Sequence, residues 1–504
     1  MAQRAEISQF HWKKSSEGTW KRQIDECEDF YRLYTKEDHG CYPIIACASF
    51  HIKSSVAHEY NFVVKSLRDA WAFLRYKHPT LGSRIERDTK TDTWKRVYTP
   101  FESKEDVDRW LHSTFKITHI NTSALKWFND NARPFEIPNI YVIKSDTEIP
   151  RQEVFLRCPH DITDGVGIIQ LVNQLFTKAA EIRSQHAEYQ YPVPDEDLDI
   201  RLSPCLRVAA SIPGQLSESQ HQRFEKMQIE NGRTYTHPGL LSLPPSSSPA
   251  IQADFRTKRI AITIPRAVSS QILAHCKEVA PGVSVTHVFV SALAMALSEC
   301  QPRKKEAYPV RYVDRPMLNL RPFCSSPYNS PDHAGAAYHG VCAQALGIDL
   351  EVPSMTDDEA KPSPLPRLAT QVRDFYNQLK PTLSNETHEQ VLLAPLTFKS
   401  LSPPPGADPW AVSDPPFCPV SLSSIGNLAS IVASSNEILE LTNVWIASQP
   451  IGAGVALFLG TWDGKIELSG VFNTQYHSED YVQKFLEGIT KNVYNGLDID
   501  EEQF

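Results

Sequence analysis

The chain alternates short runs rich in β-branched and aromatic residues with longer stretches whose apolar positions recur at helical spacing. Residues 41–52 (CYPIIACASFHI) form the first such run and predict a strand. Phe62, Val63, Leu67, Ala70, Trp71 and Leu74 then fall on one helical stripe, which Pro79 ends before a strand near residues 83–85. Residues 94–98 read as a short strand and 107–115 as a short helix. Residues 140–143 (IYVI) and 153–158 (EVFLRC) predict adjacent strands joined by the polar loop 145–152. The second of these runs into His160, and from Val166 onward Ile169, Val172, Leu175, Phe176 and Ala179 predict a long helix.

From Ser184 to Asp254 the pattern weakens. The stretch is polar and Pro-bearing, includes the run 241–249 (LSLPPSSSP), and reads as a crossover linker packed along the surface between two halves. Residues 255–264 (FRTKRIAITI) predict a strand, 267–279 a helix, and the nearly all-apolar stretch HVFVSALAMALSEC a buried helix. Residues 309–321 predict a core strand closed by Pro322, and 420–433 and 441–447 two more strands. Pro-rich loops are expected at 353–367 and 402–416. A hairpin turning at Asp463-Gly464 is the clearest β signal, and residues 481–495 predict a closing helix.

Composition narrows the class. At 504 residues, 41% hydrophobic and 22% charged, the chain is ordinary globular material, long enough for roughly two or three cores. A net charge of -9 argues against a general nucleic-acid or anionic-membrane surface. The ten cysteines are scattered without a CxxC pair, which predicts reduced thiols rather than a disulfide framework or zinc site. No apolar run approaches ~18 residues and the N-terminal stretch lacks a signal core, so a soluble cytoplasmic protein is expected.

Chemistry centres on residues 157–167 (RCPHDITDGVG). Zinc would need further ligands, and His160 with Asp161 or Asp164 offers no HExxH or His/Cys spacing. A serine-hydrolase triad would need a GxSxG elbow, which is missing. A lone histidine acting as general base remains. That role suits acyl transfer from a thioester, because a thiolate of pKa about 8.5 departs without a strong acid while the acceptor hydroxyl must lose a proton. Asp164, at a helix start beside the Gly165 turn, reads as a structural carboxylate suited to an arginine partner, and Asp161 as a solvated loop residue. His78 reads as a helix-end histidine complementing the macrodipole and His287 as a helix-start structural histidine.

His160-x-x-x-Asp164-Gly165 resembles the HxxxDG signature of the coenzyme-A-dependent acyltransferase superfamily, which includes plant BAHD enzymes, condensation domains and trichothecene O-acetyltransferases. The His78-Pro79-Thr80-Leu81 exit of the first helix, the buried helix from Val285 and Asn319-Leu320-Arg321-Pro322 are similar to family segments in the same order. The motif's wording looks closest to the trichothecene 15-O-acetyltransferase-like branch. The D-F-G-W-G motif of the plant enzymes is missing, and Pro159 stands where condensation domains carry a second histidine.

The resemblance implies an α/β fold of two chloramphenicol-acetyltransferase-like lobes, each a mixed sheet flanked by helices, with an active-site tunnel between them. The lobes would be residues 1–190, carrying the motif, and 255–504, joined by the linker 191–254. His160 would be the base, Asp164 the structural carboxylate, and Arg321 its partner or else an ordinary strand-end arginine. Ser423 and Ser424 could donate to the tetrahedral oxyanion or simply be packed small residues. Trp445, Gln449 and Trp462 are left open between core, tunnel wall and hairpin surface. The activity implied is transfer of an acyl group, acetyl foremost, from acyl-coenzyme A to a hydroxyl of an apolar secondary metabolite. No bound cofactor, metal or covalent intermediate is expected, and a monomer suffices. The alternatives are a carrier-protein-tethered donor forming an ester or amide, and a pocket that cyclises, isomerises or only binds its ligand.

Overall fold

The computed structural model describes residues 7–35, 40–54, 60–145, 151–185, 189–193, 197–246, 256–357, 363–380 and 388–500. Residues 146–150 of the polar loop, 247–249 of the Pro/Ser run and Phe255 of the predicted strand therefore lie outside the described residues. Two sheets dominate. The first has five strands in the order Leu439–Ser448, Pro43–Ile52, Arg151–Pro159, Asn139–Ser145, Phe115–Ile120. The second has four, in the order Val420–Asn427, Val455–Trp462, Lys465–Asn473, Thr257–Thr263. Most pairings are antiparallel; Phe115–Ile120 with Asn139–Ser145 and Val420–Asn427 with Val455–Trp462 are parallel.

Each sheet has its own core. The helices Tyr60–Lys77 and Gly165–Ser184 bury their apolar stripes against the first sheet, through Leu67, Trp71, Ile169, Val172 and Leu175. The helices Arg266–Val279, Val285–Glu299, Leu365–Gln378 and Glu479–Gly496 cover the second. Val285–Glu299 is buried from His287 to Ser298, as an all-round apolar sequence requires. Among the described residues no helix is long and apolar enough to cross a membrane.

Several expectations need correction. The first sheet does not end with the first half of the chain: Leu439–Ser448 returns to pair antiparallel along Pro43–Ile52, from Leu439 opposite Ile52 to Ser448 opposite Ile44. The strand expected over residues 309–321 is broken. Tyr308–Asp314 pairs with Leu346–Val352, whereas Met317–Asn319 pairs with His339–Val341 in a separate sheet. Pro316, which has no N–H to donate, sits at the break. The strand from Val420 stops at Asn427, after Gly426 at φ 80°, where the Asn427 side chain caps the 3-10 turn Leu428–Ser430. The Pro-rich loop expected to reach residue 367 gives way to a helix at Leu365.

The described part of the region between the halves, residues 197–246, is structured. It holds the helix Glu218–Tyr235, and the Asn231 side chain accepts from Ala345 N (2.8 Å) and donates to Ala343 O (2.9 Å). His78 is fully buried against Gln174 (2.9 Å) and burial pushes its pKa down to about 3, so it complements no macrodipole as a cation. His287 does close a capping box, its Nδ1 accepting from Ser284 N (3.1 Å).

Burial lowers the pKa of His160 to about 3, and of His333 and His477 to about 4. These groups stay neutral in the native state while the unfolded chain takes up protons below about pH 6.5. Their contribution to stability is present above that pH and is lost as pH falls towards 4. Buried Asp25 and Asp314, raised to about 6 and about 7, work the other way but are fewer. The urea midpoint should therefore be lower at about pH 5 than at about pH 7. Equal midpoints would show that the buried histidines do not control acid stability.

Candidate active site

His160 leaves the Arg151–Pro159 strand at its C-terminal end, and its N–H donates to Tyr42 O (2.8 Å), extending the pairing with the neighbouring strand by one residue. Its side chain borders a cavity of about 510 Å³ between the two sheets. Tyr31, Tyr42, His339, Asn319, Ser423 and Gln449 share its lining. The ring is 8% exposed. Nδ1 is buried and makes no well-aligned hydrogen bond to a described residue, which leaves Nε2 as the nitrogen turned to the cavity. Desolvation, then the nearby His339, push the pKa down, against backbone carbonyls of His160 and Thr163 and the charge of Asp164. The imidazole is a neutral proton acceptor across the whole neutral range.

Four residues on, Asp164 turns away from the cavity centre and caps the Gly165–Ser184 helix, its Oδ1 accepting from Gly167 N (2.7 Å). Its Oδ2 accepts from Arg321 Nη2 (2.8 Å) and from Tyr338 N (2.7 Å). Arg321 also donates through Nη1 to His333 O and through Nη2 to Ala336 O, each at 2.8 Å. Both members of the pair are 2% exposed. Burial raises the Asp164 pKa, but Arg321, His339 and the two backbone N–H groups outweigh it and hold the carboxyl below its usual range. Arg321 is thus an interior ion-pair partner and not a surface arginine.

Two assignments in the motif change. Gly165, expected at a turn, is the first residue of the helix, and a Cβ there would approach Ile446 Cδ1 at 3.1 Å. The stricter glycine is Gly167, whose Cβ would fall 2.4 Å from Thr163 Oγ1 and 2.5 Å from Ala334 O. Asp161 is not a solvated loop residue: its Oδ2 accepts from buried Arg96 at 2.6 Å, and the same guanidinium bonds Glu28 at 2.6 Å. Glu28 also holds Arg22 through two bonds of 2.6 Å, and these charges pull its pKa down to about 2 against the desolvation that raises it.

That network attaches the loop to a helix the hydrophobic pattern left unassigned. Glu26–Leu33 is opened by a capping box between Asp25 and Glu28, the one local signal that could have found it. It brings Tyr31 flat against His160, ring centroids 4.2 Å apart and planes 8° from parallel. His339, from the short strand His339–Val341, lies 5.1 Å from His160 between ring centroids and bonds Tyr31 Oη through Nε2 (2.7 Å).

Ser423 and Ser424 both line the cavity, and the Ser424 hydroxyl shares a hydrogen bond with Thr286 (2.8 Å). Gln449 lines the same cavity. Trp445 and Trp462 are buried in the wall of an adjoining cavity of about 300 Å³, which shares Ile425, Ile446 and Phe458 with the first. Among the described residues no three His, Cys, Asp or Glu side chains converge as a metal site. Burial pushes the Cys158 thiol, two residues from His160, well above its ordinary pKa, so it is no ready nucleophile.

No family model matches the chain. It is 22% identical over 489 residues to acetyltransferase pigO of Monascus ruber, covering 93% of this chain and 94% of that protein. Its structure is similar to TRI3 trichothecene 15-O-acetyltransferase from Fusarium sporotrichioides, with a TM-score of 0.76 and 16% identity over 97% of this chain and 98% of the other. The first condensation domain of the calcium-dependent antibiotic synthetase aligns at a TM-score of 0.59, with 11% identity over 95% of this chain and 97% of that one.

Asp164→Asn keeps the shape of the brace but leaves Arg321 as an uncompensated buried charge, which should cost about 3 kcal/mol or more of stability. Gly167→Ala should also destabilise, because its new methyl meets backbone. Urea denaturation measures both, and a parental midpoint in either variant would contradict this packing. The chain shares the two-lobed fold of trichothecene 15-O-acetyltransferase and the condensation domains, and is similar along nearly its whole length to a fungal acetyltransferase.

Proposed function

We propose that the chain is an O-acyltransferase that moves an acyl group, acetyl foremost, from acyl-coenzyme A to a hydroxyl of an apolar secondary metabolite. The observation that carries this reading is His160: a neutral imidazole with one nitrogen sealed in protein and the other turned to an interlobe cavity. A volume of about 510 Å³ lies in the range of small-molecule sites. Full-length similarity to an acetyltransferase and the overlay on an O-acetyltransferase support the same chemistry.

In this mechanism the acceptor hydroxyl attacks the thioester carbonyl while Nε2 of His160 takes its proton. A new C–O bond forms, the carbonyl π pair moves to oxygen, and Ser423 or the Ser424–Thr286 hydroxyl pair donates to the oxyanion. As the tetrahedral intermediate collapses the C–S bond breaks, and the imidazolium returns the proton to the departing thiolate. No covalent enzyme intermediate is needed. Enclosure between the lobes limits water as a competing acceptor. Every residue invoked comes from one chain, so a monomer suffices. A carrier-protein donor has less support, because Pro159 replaces the second histidine and the condensation domain overlays less closely than the acetyltransferase.

The test is free-thiol release from acetyl-coenzyme A with a panel of hydroxylated polycyclic compounds, and mass spectrometry of the products. The parent should form an acetyl ester, and His160→Ala should abolish it while keeping a near-parental urea midpoint. Parental turnover by His160→Ala would sink the base assignment. Because His160 is held at about 3, kcat/KM should stay level from about pH 8 to about pH 5. A falling limb centred near 6.5 would show instead that the base titrates as an ordinary imidazole.

A further inference from the structure

His160 lacks the carboxylate that usually answers an imidazolium. Both oxygens of Asp164 are engaged by Gly167, Arg321 and Tyr338, and Nδ1 of His160 has no well-aligned partner among the described residues. When Nε2 takes the acceptor's proton, the ring becomes a cation that is only 8% exposed, with His339 close by. The surface in contact with that cation is the face of Tyr31, parallel to it at 4.2 Å. An aromatic face attracts a cation through its quadrupole, most strongly where both are desolvated.

We propose that Tyr31 stabilises the imidazolium form of His160 through its ring face, taking the charge-stabilising part that a triad gives to a carboxylate. This rests on the base role of His160 given above. Tyr31 acts through His160 and is a positioning residue. Two ties hold its ring in place. Its hydroxyl is bonded to His339 Nε2 (2.7 Å), and Phe30 meets its ring edge-on at 5.3 Å. The wider clamp is ionic: Arg96 bridges Glu28, one helical turn before Tyr31, to Asp161, the neighbour of His160. A single buried guanidinium therefore sets the register of base and ring. Burial keeps the phenol protonated well above its ordinary range, so the contact is between a neutral ring and the transient cation.

The experiment replaces Tyr31 by Phe, by 4-fluorophenylalanine and by 3,4,5-trifluorophenylalanine, which preserve a ring of nearly the same shape while draining charge from its face. Release of free coenzyme A from acetyl-coenzyme A is measured with the acceptor found in the panel assay, or with water where none is found. Tyr31→Phe should stay within about threefold of the parent in kcat, and the trifluoro variant should fall about tenfold or more below Phe with KM little changed. Equal kcat across the fluorinated series overturns the proposal, since a ring that merely packs would serve at any fluorine count. A Phe variant as slow as the trifluoro variant also overturns it, by assigning the effect to the hydroxyl. Parental activity in His160→Ala overturns the base assignment and this inference with it, an outcome distinct from a flat fluorine series in a His160-dependent enzyme.

Discussion

The buried pair between Asp164 and Arg321 is the contact on which the site's geometry depends. It joins the end of the HxxxDG loop to a segment far along the chain, and it does so with both charges out of water. Such a pair is a poor source of net stability, because desolvating two ions offsets most of their attraction. Its value is geometric. Asp164 Oδ2 also accepts from Tyr338 N, and Arg321 also donates to His333 and Ala336, so the whole turn from 333 to 338 is held against the helix cap. That turn leads directly into His339, which bonds Tyr31 beside His160.

A second ionic element works on the other side of His160. Arg22, Glu28, Arg96 and Asp161 form a chain of largely buried charge that ties the Glu26–Leu33 helix to the residue after His160. The two arginines compensate the two carboxylates, and no member is left with an unanswered charge. Between this clamp and the Asp164–Arg321 brace, His160 is the one titratable group of the loop that is left without a counter-ion. An uncharged imidazole bordering a cavity of about 510 Å³ follows from that arrangement.

Much of the framework was legible from periodicity. The stripes before Pro79 and after Val166 have only one face that can be buried, and the two helices place those faces on the first sheet. The hairpin at Asp463-Gly464 was equally plain, with both turn residues at positive φ. Reading failed where a pattern ran through a break in backbone pairing. Around Pro316 and at Asn427 the side-chain character continues while the hydrogen bonding changes partner, and hydrophobicity does not record which partner is chosen. The Glu26–Leu33 helix escaped because it is short and rich in charge, and one of those charges, Glu28, turns out to be buried rather than solvated.

His160, its place at a strand end and the helix that follows Asp164 were determined by the sequence alone, because neighbouring residues and local apolar spacing specify them. Tertiary structure decided the rest of the site: Arg321 as the partner of Asp164, Leu439–Ser448 as an edge of the first sheet, Gly167 rather than Gly165 as the crowded glycine, and Tyr31 and His339 as the neighbours of His160. Each of these is a contact between segments distant along the chain. Local sequence states which side chains can be charged, aromatic or small, whereas only the packed fold brings a particular pair within a few ångströms and removes the water between them.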